Sequence, residues 1–351
     1  MKLFQDLRVP VIAAPMAGGI NNPQMVAAVC EGGGVGSFGF AYSSPEKILQ
    51  DLQSTKKLTR GPINANFFVF KPVAPPDQEQ LAAARQALSQ LGLDEVAWPD
   101  LKPPYIPDLS AMLEPVWQER PAILSFHFGI PPQSVIEQAK SLGITIGLNI
   151  TSVFEARQAI AAQADFLIVQ GIEAGGHRGI FEPDGQDENL PMVKLLSQVL
   201  EMTSLPLVAA GGIMHGYDLA KVIDLGAQAA QMGTAFLTCH ESTASLQHKE
   251  ELLRAQRTVV ETRSFSGRRA QGLDNEFIRR MHHQAVLSFP MQNTLTGPMR
   301  AWAQRAADAE YQSLWAGQNY QDCRSLSASQ LLQILRLEME SAWQASSIKS
   351  H

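Results

Sequence analysis

The sequence predicts an α/β fold, a (β/α)8 TIM barrel followed by a helical C-terminal cap. Eight short apolar runs alternate with helical stretches over residues 1–238, and each run ends in Gly, Asn, His or Gln. Polar residues at the ends of parallel strands are typical of the catalytic face of such a barrel. A doubly wound open sheet is the alternative, but eight even repeats favour closure.

The first three predicted strands lie within the first 70 residues. The runs 9–14 and 63–69 are apolar, whereas residues 32–40 are rich in glycine. Small residues in a strand allow a ligand or another backbone to come close. A helix over 23–31 is expected to begin at Asn22, because asparagine is a good helix cap and the next residue is a proline.

Residues 71–121 interrupt this pattern. Prolines bracket a predicted helix at 78–91, and no other regular element is evident. Connections between barrel elements usually have about 2–6 residues. The sequence therefore predicts an insertion at the carboxyl end of the third strand.

The barrel pattern resumes and then fades. Five further strands are predicted, at 122–126, 145–148, 166–169, 206–210 and 229–234, alternating with helices at 132–141, 152–162, 191–202 and 217–225. Beyond residue 238 we predict a helical cap over 239–325 and a last segment, 326–351, packing back on the barrel. Within these regions the predicted elements are helices at 242–259, 276–284, 301–314 and 326–345 and a basic loop at 262–275.

Composition and charge exclude several classes of protein. The net charge of −6 and the pI near 5.8 argue against nucleic acid as a partner. The three cysteines are far apart in the sequence, with no metal-ligand spacing, which indicates a reducing compartment and no metal site. No segment approaches the ~20 apolar residues of a membrane span. We expect a cytoplasmic enzyme without a membrane segment.

The stretch 165–179 is the centre of the predicted site. A buried strand runs into a loop in which His177 and Arg178 stand among Gly175, Gly176 and other glycines. A neutral imidazole is suited to removing a proton next to an electron-withdrawing group, and the glycines allow a substrate to approach His177. His127 ends the fourth strand between two phenylalanines, as a second site residue or as a hydrogen-bonded core residue. The alternative for the whole loop is a plain glycine turn.

Two neighbouring loops predict a phosphate site. Gly211 and Gly212 follow the seventh strand, and Gln231, Met232, Gly233 and Thr234 end the eighth. In this kind of barrel, backbone N–H groups near helix N-termini at these two loops usually bind a phosphate. The alternative is that the glycines only form turns.

Asn66 and Gln170 end two other strands and place amides at the barrel mouth. An amide is both donor and acceptor, which suits a heteroaromatic ring such as an isoalloxazine. The alternative is an amide that satisfies a loop backbone. Met16 can lie under such a ring, and Glu173 can orient Arg178 or a backbone amide.

Seven segments occur in order along the first 240 residues: APMAGG (14–19), GGGVGSFG (32–39), NANFFV (64–69), SFHFG (125–129), QGIEAGGHRG (170–179), VAAGGI (208–213) and QMGTAF (231–236). Together they resemble the nitronate monooxygenase family, which are flavin-dependent (β/α)8 enzymes. The resemblance implies that His177 is the catalytic base and that His127 lies beside the substrate. The expected FMN contacts are Met16, Asn66, Gln170, Gly175, Gly176, Gly211, Gly212, Gln231, Met232, Gly233 and Thr234.

The resemblance also implies an activity. The family transfers electrons from an alkyl nitronate, such as propionate 3-nitronate, to the flavin and returns them to O₂ without NAD(P)H. FMN-dependent enoyl-thioester reductases that use NAD(P)H share the same loops, but Arg178 and residues 180–182 favour the nitronate branch. A flavin-free lyase or isomerase of sugar phosphates and an inactive binding protein remain open. We expect a monomer or homodimer, with substrate contacts after residue 240 from Tyr311 or Trp315.

Overall fold

The computed structural model describes residues 2–349, with side chains through residue 346. Nine strands lie in the first 232 residues, and all except β7 belong to one parallel sheet. The strands are β1 (Val11–Ala13), β2 (Gly36–Gly39), β3 (Ile63–Phe68), β4 (Ile123–His127), β5 (Thr145–Ile150), β6 (Phe166–Gln170), β7 (Gly176–His177), β8 (Leu207–Ala210) and β9 (Ala229–Met232).

The parallel sheet closes into a barrel. Strand pairing follows the order β1-β9-β8-β6-β5-β4-β3-β2. The two ends of this order meet at Val35, whose amide donates to the Val11 carbonyl at 2.9 Å while its own carbonyl accepts from the Ala13 amide at 3.0 Å. The predicted (β/α)8 barrel is therefore confirmed, and the open sheet is excluded.

Apolar side chains fill the amino-terminal end of the barrel. Ile12, Ile123, Phe166 and Val208 come from four strands and form one buried cluster. Phe4, on the short helix α1 (Lys2–Gln5), closes this end, with its ring edge-on to that of Phe166 at 5.2 Å between centroids. The opposite, carboxyl end of the strands is the end left for a ligand.

Helices cover the outside of the strands. Between β1 and the end of the barrel they are α2 (Pro23–Gly32), α3 (Pro45–Leu58), α4 (Gln78–Ser89), α5 (Leu109–Glu119), α6 (Gln133–Ser141), α7 (Val153–Ala161), α8 (Met192–Leu200), α9 (Gly216–Asp224) and α10 (Thr234–Leu237). The predicted cap of α2 is confirmed, because the Oδ1 atom of Asn22 accepts from the Met25 amide at 2.9 Å.

The segment predicted as an insertion also contains a barrel helix. α5 occupies the connection between β3 and β4 and packs against α3, with Lys56 on α3 paired to Glu119 at 2.9 Å. The sequence did not predict this helix because Pro115 lies inside it, and proline removes an intrahelical hydrogen bond. The irregular part of the insertion therefore ends before α5.

The C-terminal region contains strands that the sequence did not predict. Its elements are α11 (Leu246–Arg254), β10 (Val259–Thr262), β11 (Ala270–Leu273), α12 (Glu276–Arg280), α13 (Met291–Arg305) and α14 (Ala328–Lys349). β10 and β11 are antiparallel, and β11 also pairs with β7. The prediction of a loop at 262–275 was wrong, because the strands are short and one partner lies about a hundred residues away. α13 begins ten residues before the predicted helix at 301–314.

The insertion and the C-terminal region share a second hydrophobic core. Leu88 of α4 packs in one buried cluster with Phe265, Phe277 of α12, and Leu295 and Met299 of α13. This core is separate from the cluster that lines the barrel wall. The insertion therefore supports the helices at the mouth of the barrel.

The last helix packs against the outside of the barrel. α14 contacts α2 and α9, and Leu332 and Leu335 are buried in the barrel-wall cluster. Residues 350 and 351 of the predicted final segment lie outside the described residues. Over residues 2–349, no helix is both long enough and apolar enough to cross a membrane.

Candidate active site

A cavity of about 640 Å³ opens at the carboxyl ends of the barrel strands. Both predicted site histidines and all the expected FMN contacts line it: Met16, Asn66, His127, Gln170, Gly175, Gly176, His177, Gly211, Gly212, Gln231, Met232, Gly233 and Thr234. Strand ends meet at one rim of a barrel, so residues spread over more than 200 positions come together. The structure thus brings these residues together around one cavity, and it places further residues there that the sequence did not predict.

The predicted phosphate loops lie at one side of this rim. Gly211 and Gly212 follow β8 with φ of +126° and +69°, a region that other residues rarely adopt. The C-terminal chain supports these loops. The Nδ2 atom of Asn319 donates to the Gly212 carbonyl at 2.6 Å, and the Gly317 amide donates to Thr234 Oγ1 at 3.0 Å. Neither supporting residue was predicted.

Two buried amide atoms in the cavity have no partner. The Oε1 atom of Gln231 and the Nδ2 atom of Asn149 make no hydrogen bond. A buried acceptor or donor left unpaired costs about 1–3 kcal/mol, so both atoms favour a bound polar molecule. Asn66, by contrast, donates through Nδ2 to Ser125 Oγ at 2.9 Å. Asn149 is the next-to-last residue of β5, and its position near a strand end was the available signal for it.

Gln170 uses its amide to hold the central loop. Its Nε2 donates to the His177 carbonyl at 3.2 Å, and its Oε1 accepts from the Gly179 amide at 2.8 Å. Gln170 therefore makes the backbone contacts that were the alternative to binding a ligand. One of its two Nε2 protons is not used in them and is available to a ligand. Gly179 must be glycine, since an added Cβ would lie 2.1 Å from Asn149 Nδ2 and 2.7 Å from His127 Cε1.

Arg178 holds the central loop through hydrogen bonds and does not line the cavity. It is buried and forms a bidentate pair with Asp187, at 2.7 Å and 3.0 Å, while its Nη1 donates to the Gln170 carbonyl. The suggestion that Glu173 orients Arg178 was wrong. Glu173 instead accepts from the Met192 backbone amide at 2.9 Å, the second of the two roles considered for it.

His177 is fixed from two sides. Its backbone belongs to β7, which pairs with β11 at Ala270. Its Nε2 lies 2.9 Å from the Oγ of buried Ser266. That hydroxyl donates to the Arg268 carbonyl at 3.1 Å. Because the hydroxyl has one proton, Nε2 of His177 must be the donor to Ser266, which leaves Nδ1 as the basic nitrogen.

Aromatic rings surround the His177 side chain. Its ring centroid lies 5.6 Å from that of Trp315, 5.7 Å from those of Phe128 and Phe289, and 6.1 Å from that of Phe68. Trp315 also lines the cavity, as expected for a substrate contact. Tyr311 was the other candidate, and it lies in the second core instead.

The electrostatic surroundings keep both site histidines neutral. Burial, and then the nearby Arg268 guanidinium, lower the pKa of His177 to about 3, with smaller effects from His127 and Arg300. The same two causes lower the pKa of His127 to about 3. The Nε2 of His127 lies 3.2 Å from the His177 carbonyl oxygen, so His127 carries its proton on Nε2. Both histidines are therefore neutral: His127 donates from Nε2 to the His177 carbonyl, and His177 keeps a lone pair on Nδ1.

Arg268 was missed because the sequence around it was interpreted only as a basic loop. It is 5% exposed and lies 3.7 Å above the centroid of the Phe128 ring, a cation–π contact. It also donates to the Ile180 carbonyl. Among residues 2–346, no group of three or more His, Cys, Asp or Glu residues is placed to hold a metal ion.

Comparisons with known proteins agree with this geometry. A sequence profile described as "Nitronate monooxygenase" matches residues 2–338. The nitronate monooxygenase of Paraburkholderia phytofirmans is 36% identical over 342 residues, which are 94% of this chain and 92% of that protein. The nitroalkane oxidase of Streptomyces ansochromogenes is 36% identical, with a TM-score of 0.93 and coverage of 98% and 99% of the two chains. FabK from Thermotoga maritima, at 24% identity and a TM-score of 0.76 over 99% and 97%, shares the fold. The chain therefore belongs to the nitronate monooxygenase family.

Proposed function

We propose that this protein binds FMN and oxidises alkyl nitronates of the propionate 3-nitronate type with O₂. The observation that carries the proposal is a neutral histidine, His177, in an aromatic cavity beside unpaired buried amides. The family supports oxidation of nitronates, and the cavity residues support the cofactor and the role of the base.

The residues around the cavity fit FMN. Its phosphate would lie against the backbone of Gly211 and Gly212 and beside Thr234, where the positive φ of the glycines leaves N–H groups uncovered. Its ring has donor and acceptor edges, which match Asn149 Nδ2 and Gln231 Oε1. Met16, Gly175 and Gly176 line the same space. Bound FMN supplies the capacity to accept electrons from a carbon acid and to pass them to O₂.

His177 performs the proton chemistry that the cofactor does not. With Nε2 donating to Ser266, the lone pair on Nδ1 is available to remove the proton next to a nitro group. The rings of Phe128, Phe289 and Trp315 pack around the imidazole and reduce its contact with water. A nitronate that enters already deprotonated needs no such step, so His177 then contributes only to positioning.

The proposed function is tested by asking which compound, a nitronate or NADPH, reduces the bound flavin. Purified protein that carries flavin should lose its oxidised flavin absorbance under anaerobic conditions when propionate 3-nitronate is added, and should regain it with O₂. NADPH in place of the nitronate should leave the absorbance unchanged. Bleaching by NADPH alone would favour an enoyl-thioester reductase, and absence of flavin would favour the flavin-free alternatives.

Ser266→Ala is expected to slow nitroalkane oxidation about 5- to 10-fold, the usual effect of one lost hydrogen bond. Without the hydroxyl, the His177 ring loses the contact that fixes Nδ1 as the base. The fall should appear in kcat and not in KM, and oxidation of a pre-formed nitronate should change less. Ser264→Ala is the matched control, because that buried hydroxyl contacts Thr262 and not His177. Equal effects of the two variants would contradict the positioning role.

The pH profile provides a separate prediction. Protonation inactivates a base, so a His177 pKa of about 3 keeps the residue neutral throughout pH 5–8. We expect kcat/KM for a nitroalkane added in its neutral form to be flat across that range. An imidazole with an ordinary pKa near 6.5 would instead lose activity about 30-fold between pH 8 and pH 5. A pre-formed nitronate is the control, and an acid limb near 6.5 for the nitroalkane alone would contradict the lowered pKa.

A further inference from the structure

One face of α13 closes the cavity and carries an arginine that the proposed chemistry does not use. Asn293, Gly297, Arg300 and Gln304 line the cavity and are spaced as residues on one side of a helix. Arg300 is the cationic residue on this face. The sequence offered no signal for it, since the predicted helix began one residue later.

The guanidinium of Arg300 is held in place but is not neutralised. Its Nη2 donates to the backbone carbonyl of Asn293 at 2.6 Å and to the side-chain Oδ1 of Asn293 at 2.9 Å. Its Nε is buried and has no hydrogen-bond partner, and among residues 2–346 no carboxylate forms an ion pair with it. Arg300 is partly exposed to the cavity, and a cation whose Nε is withdrawn from water without a partner is stabilised when a ligand supplies negative charge.

The position of Arg300 distinguishes it from the phosphate loops. Burial raises the pKa of Tyr42, which follows β2, and the Arg300 charge partly opposes that rise. The same charge adds to the lowering of the His177 pKa, which burial and Arg268 dominate. The phosphate loops follow β8 and β9 and are covered by Gly317 and Asn319, which are not on α13. Arg300 and Tyr42 line the same cavity as His177, on elements other than those that carry the phosphate loops.

We propose that Arg300, assisted by the Tyr42 hydroxyl, binds a carboxylate on the substrate and so selects nitronates with a carboxylate tail over uncharged-tail nitronates of similar length. Arginine donors match a carboxylate in geometry and charge, and both residues line the cavity that contains His177. This inference rests on the proposed function, because it concerns the far end of the same substrate. It makes Arg300 a specificity residue and leaves proton transfer to His177.

The kinetic test compares two substrates in three variants. Arg300→Gln should raise KM for propionate 3-nitronate about 10- to 100-fold, the usual range for a charge-assisted hydrogen bond. KM for the nitronate of 1-nitropropane should change less than about 3-fold, since its tail offers no anion. Arg300→Lys should recover part of the loss for the carboxylate substrate. Arg305→Gln removes the same charge from an exposed position on the same helix and should leave both KM values unchanged.

A binding measurement gives a readout that needs no turnover. Butyrate has a carboxylate but no nitro group, and calorimetry with the flavin-loaded protein should show binding that Arg300→Gln weakens about 10-fold or more. Equal losses for both nitronates, or unchanged butyrate binding, would overturn the carboxylate assignment. A wild-type protein that oxidises neither nitronate but still binds butyrate through Arg300 would overturn the proposed function and leave the anion site standing. Flavin content and circular dichroism spectra show that each variant is folded.

Discussion

Replacing His177 with Asn is expected to lower the rate of flavin reduction by a neutral nitroalkane about 100- to 10,000-fold, the range for loss of a general base. Asparagine is polar and similar in size, but it has no basic nitrogen. The phosphate loops lie on β8 and β9, so FMN should be retained. A pre-formed nitronate needs no proton removal, and its rate should fall much less.

The measurement is anaerobic flavin reduction at saturating substrate, because binding is then complete and the rate reports the chemical step. His127→Asn is the matched control: it is the same substitution at the neighbouring histidine, whose Nε2 donates to the His177 carbonyl. It should affect nitroalkane and nitronate alike. Equal losses for the two substrates in His177→Asn would instead make His177 a residue that positions the anion.

Gly212→Asp is expected to abolish FMN binding while the barrel stays folded. The added carboxylate would lie in the phosphate loop, and two unit charges about 4 Å apart repel by about 4 kcal/mol at an effective dielectric constant near 20. That corresponds to roughly a thousandfold loss of affinity. The measurement is the flavin content of the purified variant and the dissociation constant for added FMN.

Gly212→Asn separates charge from crowding. Asparagine has the size of aspartate and tolerates the positive φ of +69° at this position. In both variants the new Cβ would lie 3.1 Å from Glu173 Cβ and 3.2 Å from Asn319 Nδ2. Gly212→Asn should therefore lose less FMN than Gly212→Asp. Full FMN content in the aspartate variant would place the phosphate elsewhere.

The candidate site was predictable because a barrel gathers the ends of its strands. His127 and Gln170 end their strands and Gln231 is next to last in β9, and the apolar runs beside them mark the strands clearly. Once closure is assumed, the positions of these residues follow from the fold alone. What each side chain contacts did not follow. Gln170 holds a loop, whereas the Nδ2 of Asn149, one residue before the end of its strand, has no hydrogen-bond partner.

The residues beyond the barrel were less predictable for a physical reason. Trp315 lines the cavity, Ser266 contacts His177 and Arg268 lies over Phe128, each through pairing or packing with segments that are remote in sequence. The periodicity of a local segment does not indicate contacts with remote segments. Strands of four residues also give only a weak alternation of apolar and polar residues. Arg300 lies on α13, and the prediction began this helix only after Pro298 because proline is unfavourable inside a helix.

Because β7 pairs with β11, the candidate active site is built from both the barrel and the C-terminal region. Residues 176–177 supply one edge and residues 270–271 the other, while Ser266 lies four residues before Ala270 on the connecting segment. A strand that slips by one residue turns its side chains to the opposite face. A single-residue insertion between Ser266 and Ala270 would therefore separate the serine from the histidine without touching the barrel. A chimaera that takes residues 239–325 from a relative and keeps the barrel of this chain is therefore expected to keep its fold and lose the hydrogen bond that orients His177, unless it also preserves the spacing from Ser266 to Ala270.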